Sequence, residues 1–106
     1  MNRELNTQEQ KIFDSLKAVI DPELMVNIID LGLVYDVRMN DTKNKVVIDL
    51  TLTSPGCPLG DVIIENVQQV AATSYPGYKV EVNLVWEPSW TLERLTADGK
   101  EALGRT

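Results

Sequence analysis

The sequence predicts a two-layer α+β sandwich, in which helices cover one face of a mixed sheet in the order α-β-β-α-β, followed by short C-terminal helices. Two segments, near residues 8–20 and 58–74, carry apolar residues at helical spacing. Three others, near 33–40, 45–53 and 78–86, alternate apolar and polar residues as half-buried strands do. A length of 106 residues fits a single domain, 1–106.

The composition excludes several classes of protein. Ten basic residues against 16 acidic ones give a net charge of −6, which disfavours binding to nucleic acid and to anionic membrane surfaces. Histidine is absent, so catalysis and zinc binding by histidine are excluded. The polar N-terminal residues and the lack of a long apolar run predict a cytoplasmic protein.

The first helix shows a start signal and a stop signal. Thr7 and Gln10 have the spacing of a capping box, in which two side chains satisfy free backbone N–H groups at a helix start. An apolar stripe follows at positions 12, 13, 16, 19 and 20. Pro22 disfavours helical geometry at Asp21, so the helix should end there.

The strands and the second helix follow from similar patterns. Polar turn residues at 40–44 separate the first two strands, which should pair antiparallel. Pro58 suits the first turn of the second helix, whose predicted buried face is Leu59, Val62, Ile63, Val67, Val70 and Ala71. The third strand places Val80, Val82, Leu84 and Trp86 on one face. Thr96 and Gly104 should cap and close a short final helix.

This order of elements predicts where a site would lie. If strands two and three are parallel, the second helix is their right-handed crossover. The loops that leave both strands then lie at one end of the sheet, together with the entry to the first strand. Segments 21–32, 53–57 and 87–90 should therefore meet there.

Cys57 is the most reactive side chain predicted at that end. The start of a helix favours an anion, so a thiolate there could act as a nucleophile or as a soft-metal ligand. The alternative is a buried, inert cysteine, although the flanking Pro-Gly loop argues against it. A thiol enzyme ranks last, because the chain has neither a histidine base nor a second cysteine.

Other residues at the same end are weaker candidates. Asp21, Glu23 and Asp30 could ligate a metal or act as acid–base groups, but ending a helix or lying in solvent explains them more simply. Thr53 and Ser54 could bind an anion or hold their loop. We expect Trp86 to pack in the core, and Trp90 to be exposed and available to a partner.

Four strings in order resemble a known family: DPEL (21–24), DLGLVYDV (30–37), LTSPGCPL (52–59) and PSW (88–90). Together they resemble the small iron–sulfur maturation family that includes SufT and PaaD-type proteins and is related to eukaryotic cytosolic iron–sulfur targeting factors. The resemblance extends from the first helix to Gly104.

The resemblance implies a non-enzymatic factor that assembles iron–sulfur clusters or delivers them to apo-proteins. It implies a fold similar to the C-terminal domain of NifU-type scaffolds, and partners among the assembly machinery and apo iron–sulfur proteins. An adaptor that never touches metal, and an accessory protein of a PaaD-type oxygenase system, are the alternatives. The family's characteristic positions correspond here to Asp21, Pro22, Glu23, Asp30, Thr53, Ser54 and Cys57.

The chain departs from NifU-type scaffolds at the cysteine. Those domains carry a Cys-x-x-Cys pair, whereas Pro58, Leu59 and Gly60 follow Cys57 here. A cluster ordinarily takes four ligands, usually thiolates. We therefore expect only a transient cluster or iron, contacted by Cys57, Asp21 and Glu23, and bridging either a homodimer or the chain and a partner.

Overall fold

The computed structural model describes residues 4–53 and 60–104. The elements in order are α1 (Thr7–Ser15), β1 (Ile20–Asp21), β2 (Val26–Asn27), β3 (Val34–Asn40), β4 (Lys45–Leu50), α2 (Gly60–Ser74), β5 (Lys79–Leu84) and α3 (Ala97–Ala102). Short 3-10 turns occur at Leu16–Ala18 and Leu92–Arg94. No helix in these described ranges is both long and apolar enough to cross a membrane.

The main sheet has the predicted topology. Its order is β3-β4-β5, with β3 antiparallel and β5 parallel to β4. Helix α1 packs on β3, α2 packs on β5, and the two helices contact each other, so they form one layer over the sheet. On β4, Val46, Ile48 and Leu50 are fully buried in the core. The predicted α+β class is confirmed, and the predicted order α-β-β-α-β is found in α1, β3, β4, α2 and β5. The short β1–β2 sheet lies where the sequence predicts the end of the first helix and a loop.

The first helix differs from the prediction at both ends. Its capping box is formed one residue earlier, by Asn6 and Glu9: the Asn6 carboxamide oxygen accepts from the Glu9 N–H at 2.8 Å, and Glu9 Oε1 accepts from the Asn6 N–H at 3.1 Å. The helix ends at Ser15, and the residues beyond Val19 turn into β1, which pairs antiparallel with β2. Strand pairing overrides the helical periodicity there, since branched Val19 and Ile20 favour extended backbone.

The strand β3 contains a bulge that sequence alternation does not show. Val34 pairs with Leu50 and Asp36 pairs with Asp49, so Tyr35 is the extra residue. A bulge shifts the side-chain alternation by one position. Tyr35 therefore leaves the core side and is only half-buried.

The second helix and β5 bury fewer residues than predicted. Along α2, Ile63, Val67 and Ala71 follow one another at a spacing of four and are buried. Val62 is 45% exposed because it lies outside this buried stripe of the helix. Val80 and Val82 pack partly against the core. Trp86, expected in the core, is 40% exposed because it lies beyond the end of β5. The predicted helix start at Pro58 and the buried Leu59 lie outside the described residues.

The face of the sheet opposite the helices is charged. Arg38 bonds both carboxylate oxygens of Asp49, at 2.5 and 3.0 Å, and contacts Asp36 at 3.0 Å. The hydrogen bond with Asp49 is the main reason that the pKa of Arg38 is raised. Lys45 pairs with Glu81 at 3.1 Å across β4 and β5. These pairs keep this face of the three strands solvated.

Candidate functional site

Two of the three predicted site segments meet at one end of the sheet. The indole N–H of Trp90 donates to the backbone oxygen of Leu31 at 2.6 Å, which joins segment 87–90 to segment 21–32. The Tyr35 hydroxyl donates to the backbone oxygen of Pro88 at 2.6 Å, and the Arg94 guanidinium lies 4.7 Å from the centre of the Tyr35 ring. The third segment is described only at Thr53, which is half-buried. Ser54 and Cys57 lie outside the described residues.

Asp21 organises the hairpin between β1 and β2. Its carboxylate accepts from the backbone N–H groups of Glu23 at 2.8 Å and Leu24 at 3.1 Å, and its carbonyl accepts from the Met25 N–H at 2.7 Å. An aspartate bonded to the backbone two residues ahead is a typical turn device. Asp21 is only 2% exposed. One oxygen of this carboxylate is therefore engaged in holding the turn.

The tip of that hairpin presents its side chains to solvent. Pro22 and Glu23 are exposed, and Met25 is 74% exposed. Met25 has a φ of 58°, a left-handed conformation that costs a non-glycine residue free energy. The hairpin thus carries a carboxylate and a thioether at its surface.

Asp30 connects the site loop to the C-terminus. One carboxylate oxygen accepts from the Asn27 amide at 2.8 Å, and the other accepts from the Thr96 hydroxyl at 2.9 Å. The Asp30 backbone oxygen also accepts from the Thr96 N–H at 2.9 Å. Thr96 caps α3, as predicted, by accepting from the Gly99 N–H at 3.0 Å. Asp30 therefore holds α3 against segment 21–32.

Two glycines allow the C-terminal segment to approach this loop closely. A Cβ on Gly99 would lie 2.3 Å from the Asp30 backbone oxygen. A Cβ on Gly32, whose φ is +75°, would lie 2.3 Å from the Arg94 backbone oxygen. Side chains larger than hydrogen would push the two segments apart, because both distances are far below van der Waals contact.

The two tryptophans have the reverse of the expected exposure. Trp90, expected to be exposed, is half-buried, packs against the core and bonds Leu31. Trp86, expected to be buried, is exposed. A Pro-flanked tryptophan gave no sequence signal for its bond to a backbone oxygen 59 residues away.

Sequence reasoning also missed Thr51, which directly follows β4 and comes shortly before Cys57 in the sequence. Thr51 is 1% exposed, and its hydroxyl is the buried side-chain polar atom without a hydrogen-bond partner in the described chain. Such a group normally finds a partner, and leaving it unpaired costs free energy. Apolar residues alternate with polar ones along 45–53, and this pattern puts Thr51 on the polar side, so it gives no sign that Thr51 is buried.

The described carboxylates do not make a metal centre by themselves. Across residues 4–53 and 60–104, no group of three or more Cys, Asp and Glu side chains is placed to hold a metal ion. Any metal chemistry at this end of the sheet therefore needs donors beyond Asp21 and Glu23.

Comparison of the sequence with known proteins shows the family to which the chain belongs. Residues 9–84 match the family model described as iron–sulfur cluster assembly protein, so the chain belongs to that family. It is 43% identical to the Fe-S protein maturation auxiliary factor YitW of Bacillus subtilis, over 91% of this chain and 93% of that protein. It is 46% identical to the Fe-S protein maturation auxiliary factor SufT of Staphylococcus aureus, over 81% of this chain and 97% of that protein.

A solved structure supports the same assignment. The crystal structure of a domain of unknown function, DUF59, from Bacillus anthracis matches with a TM-score of 0.86 and 46% identity, over 93% of each chain. The family resemblance read from the four sequence strings is confirmed. The expected likeness to the NifU C-terminal domain stays a prediction.

Proposed function

We propose that this chain is a non-enzymatic iron–sulfur maturation factor that helps to deliver clusters to apo-proteins. The observation that carries the proposal is membership of the assembly family. The match to two proteins named Fe-S protein maturation auxiliary factors also covers nearly the whole length of those proteins. The absence of histidine removes the most common general base, which fits a carrier better than a catalyst. A cytoplasmic location fits this role.

Cys57 is the proposed contact with the cargo. Thiolates are the usual ligands of iron–sulfur clusters, and this is the only cysteine in the chain. Helix α2 begins at Gly60, three residues later, so its positive end lies close in sequence to the thiol. Thr53 and Ser54 precede Cys57 and would hold its loop.

Asp21 and Glu23 take different parts in this proposal. The Asp21 carboxylate is buried and bonded to the hairpin backbone, so it shapes the turn that presents Glu23. Glu23 is exposed and carries the oxygen donor that could share iron with a thiolate. Pro22 and Asp30 keep the ends of segment 21–32 in place.

The cargo would be held jointly. One thiolate and one exposed carboxylate leave a four-ligand cluster incomplete. An apo-protein, an assembly protein or a second copy of the chain would supply the remaining ligands. Binding is therefore transient, as transfer requires. Trp90, expected from the sequence to be an exposed partner contact, is half-buried and bonded to Leu31, so in this proposal it holds segment 87–90 against segment 21–32.

The rival function is an adaptor that binds clients without touching metal. The experiment that separates the two uses Cys57→Ser, with anaerobic loading and transfer to an apo [4Fe–4S] enzyme. If the protein is a carrier, Cys57→Ser should keep the wild-type melting temperature and should still bind the client, but it should not activate the client. A Cys57→Ser protein that binds and activates the client normally would leave only the adaptor.

Two single substitutions of carboxylates test whether an oxygen donor of this chain takes part in iron binding. Glu23→Gln should reduce the iron retained after anaerobic loading, measured together with sulfide and absorbance. Glu101→Gln, which removes an exposed carboxylate on α3, is the matched control and should retain iron like the wild type. Equal iron in both variants would remove Glu23 from the proposed contact.

A further inference from the structure

The two edges of the main sheet differ in how their backbone groups are satisfied. On the outer edge of β3, the Val37 N–H donates to the Asp36 carboxylate at 2.9 Å and the Met39 N–H donates to the Glu9 carboxylate at 3.0 Å. Carboxylates on these donors occupy the positions that an added strand would need. Charged groups at an edge are a common protection against strand pairing. The β3 edge is therefore closed.

Among residues 4–53 and 60–104, no carboxylate or other group covers the β5 edge in this way. The N–H groups of Lys79 and Val85 donate to β4 and the residue before it, at 2.8 Å each, so the odd-numbered residues face β4. Alternation then turns the N–H and C=O groups of Val80, Val82 and Leu84 outward. In the described chain none of these groups has a hydrogen-bond partner. Leu84 is also 41% exposed at this edge.

We propose that β5 pairs antiparallel with β5 of a second copy of this chain, with the two-fold axis at Val82. In that register the outward-facing residues meet: Val82 lies opposite Val82, and Val80 lies opposite Leu84 of the other copy. The result is a continuous six-stranded sheet. Both copies of Leu84 lose their exposure to solvent.

The sequence of β5 is complementary to itself in this register. On the charged face, Glu81 lies opposite Asn83 of the other copy, and an amide can donate to a carboxylate. A shift of the axis to Glu81 would put two carboxylates directly opposite each other, which is destabilising. Side-chain chemistry therefore favours an axis at Val82 over an axis at Glu81.

Net charge sets the strength of this contact. Each copy carries −6, so two copies repel each other over a distance that salt shortens. The dimer should therefore be weak at low salt and tighten as salt increases. An oppositely charged partner would show the reverse dependence on salt.

The geometry also limits where a shared cluster could lie. In an antiparallel pair the carboxyl ends of the two β4 strands point in opposite directions. The Thr53 residues that lead into the two Cys57 loops then lie at opposite ends of the dimer. A cluster held by this dimer would be completed by the client and not by the second Cys57.

Sedimentation velocity of the full chain over a concentration series tests the proposal. Wild type should move from 11.9 kDa towards twice that mass as concentration rises, and more readily at higher salt. Leu84→Lys should weaken the dimer about tenfold, since each dimer loses two cross-strand pairs. Leu92→Lys is the matched control: Leu92 is 42% exposed, lies outside β5 and takes the same change in charge.

A gain-of-affinity variant tests the register. Asn83→Lys would face Glu81 of the other copy and should tighten the dimer about threefold relative to Leu92→Lys. Circular dichroism melting of each variant shows whether the fold is kept. A chain that stays monomeric at all concentrations and salt levels, or equal weakening by Leu84→Lys and Leu92→Lys, overturns the proposal. These measurements need no client, so this proposal and the proposed function fail separately.

Discussion

Thr96 is bonded to Asp30 by both its backbone and its side chain. Its N–H donates to the Asp30 carbonyl and its hydroxyl donates to the Asp30 carboxylate, each at 2.9 Å. The same hydroxyl accepts from the Gly99 N–H at 3.0 Å and so caps α3. This one residue connects the C-terminal helix with the loop that leads to the candidate site.

Replacing that hydroxyl should weaken the attachment of the C-terminal helix, although the backbone bond from Thr96 to Asp30 remains. Thr96→Val keeps the shape of the side chain but loses the cap and the bond to Asp30, so we expect a loss of about 1–2 kcal/mol in the free energy of unfolding. Thr91→Val is the control, because Thr91 is exposed and its side chain caps nothing. Urea denaturation measures both variants, and equal stabilities would show that the Asp30 contact contributes nothing.

The two tryptophans should respond differently to the same substitution. Trp90→Phe leaves the Leu31 carbonyl without its donor, so stability should fall by about 1–2 kcal/mol. Trp86→Phe removes an exposed indole and should stay within about 0.5 kcal/mol of wild type. Thermal melts of both variants provide the comparison. A larger loss for Trp86 would contradict the exposures described above.

A substitution at the tip of the hairpin between β1 and β2 should stabilise the protein. Met25→Gly relieves a left-handed backbone and should raise the free energy of unfolding by about 0.5–1 kcal/mol. Asn44 also has a positive φ, of 50°, but asparagine tolerates that region, so Asn44→Gly should change stability by less than about 0.5 kcal/mol. Chemical denaturation that ranks the two variants in the opposite order would rule out backbone strain at Met25.

The Thr51 hydroxyl, which has no partner among residues 4–53 and 60–104, should also be replaceable with a gain in stability. Thr51→Val removes a buried polar atom that bonds no described residue and keeps the branched shape, so the free energy of unfolding should rise by about 1 kcal/mol. Thr73→Val, at an exposed position where the hydroxyl bonds Gln69, is the control and should change stability little. A loss of stability in Thr51→Val would mean that the hydroxyl has a partner in the folded protein.

The fold class and the family could both be predicted from the amino-acid sequence. Apolar periods of 3.6 and 2 identified the helices and strands, because each pattern suits only one kind of element. The right-handed crossover rule then placed segments 21–32 and 87–90 at one end of the sheet, where Trp90 and Leu31 meet. Four short strings were enough to recognise the iron–sulfur assembly family.

Other features depend on contacts between residues far apart in the chain, and these became visible only in the folded protein. Strand pairing with Val26–Asn27 drew Ile20 out of the first helix, and the bulge at Tyr35 reversed part of an alternating pattern. The burial of Trp90 depends on a backbone oxygen 59 residues away, and the position of α3 depends on Asp30, 66 residues before Thr96. Local propensity cannot supply these outcomes, since each is set by the free energy of a non-local contact.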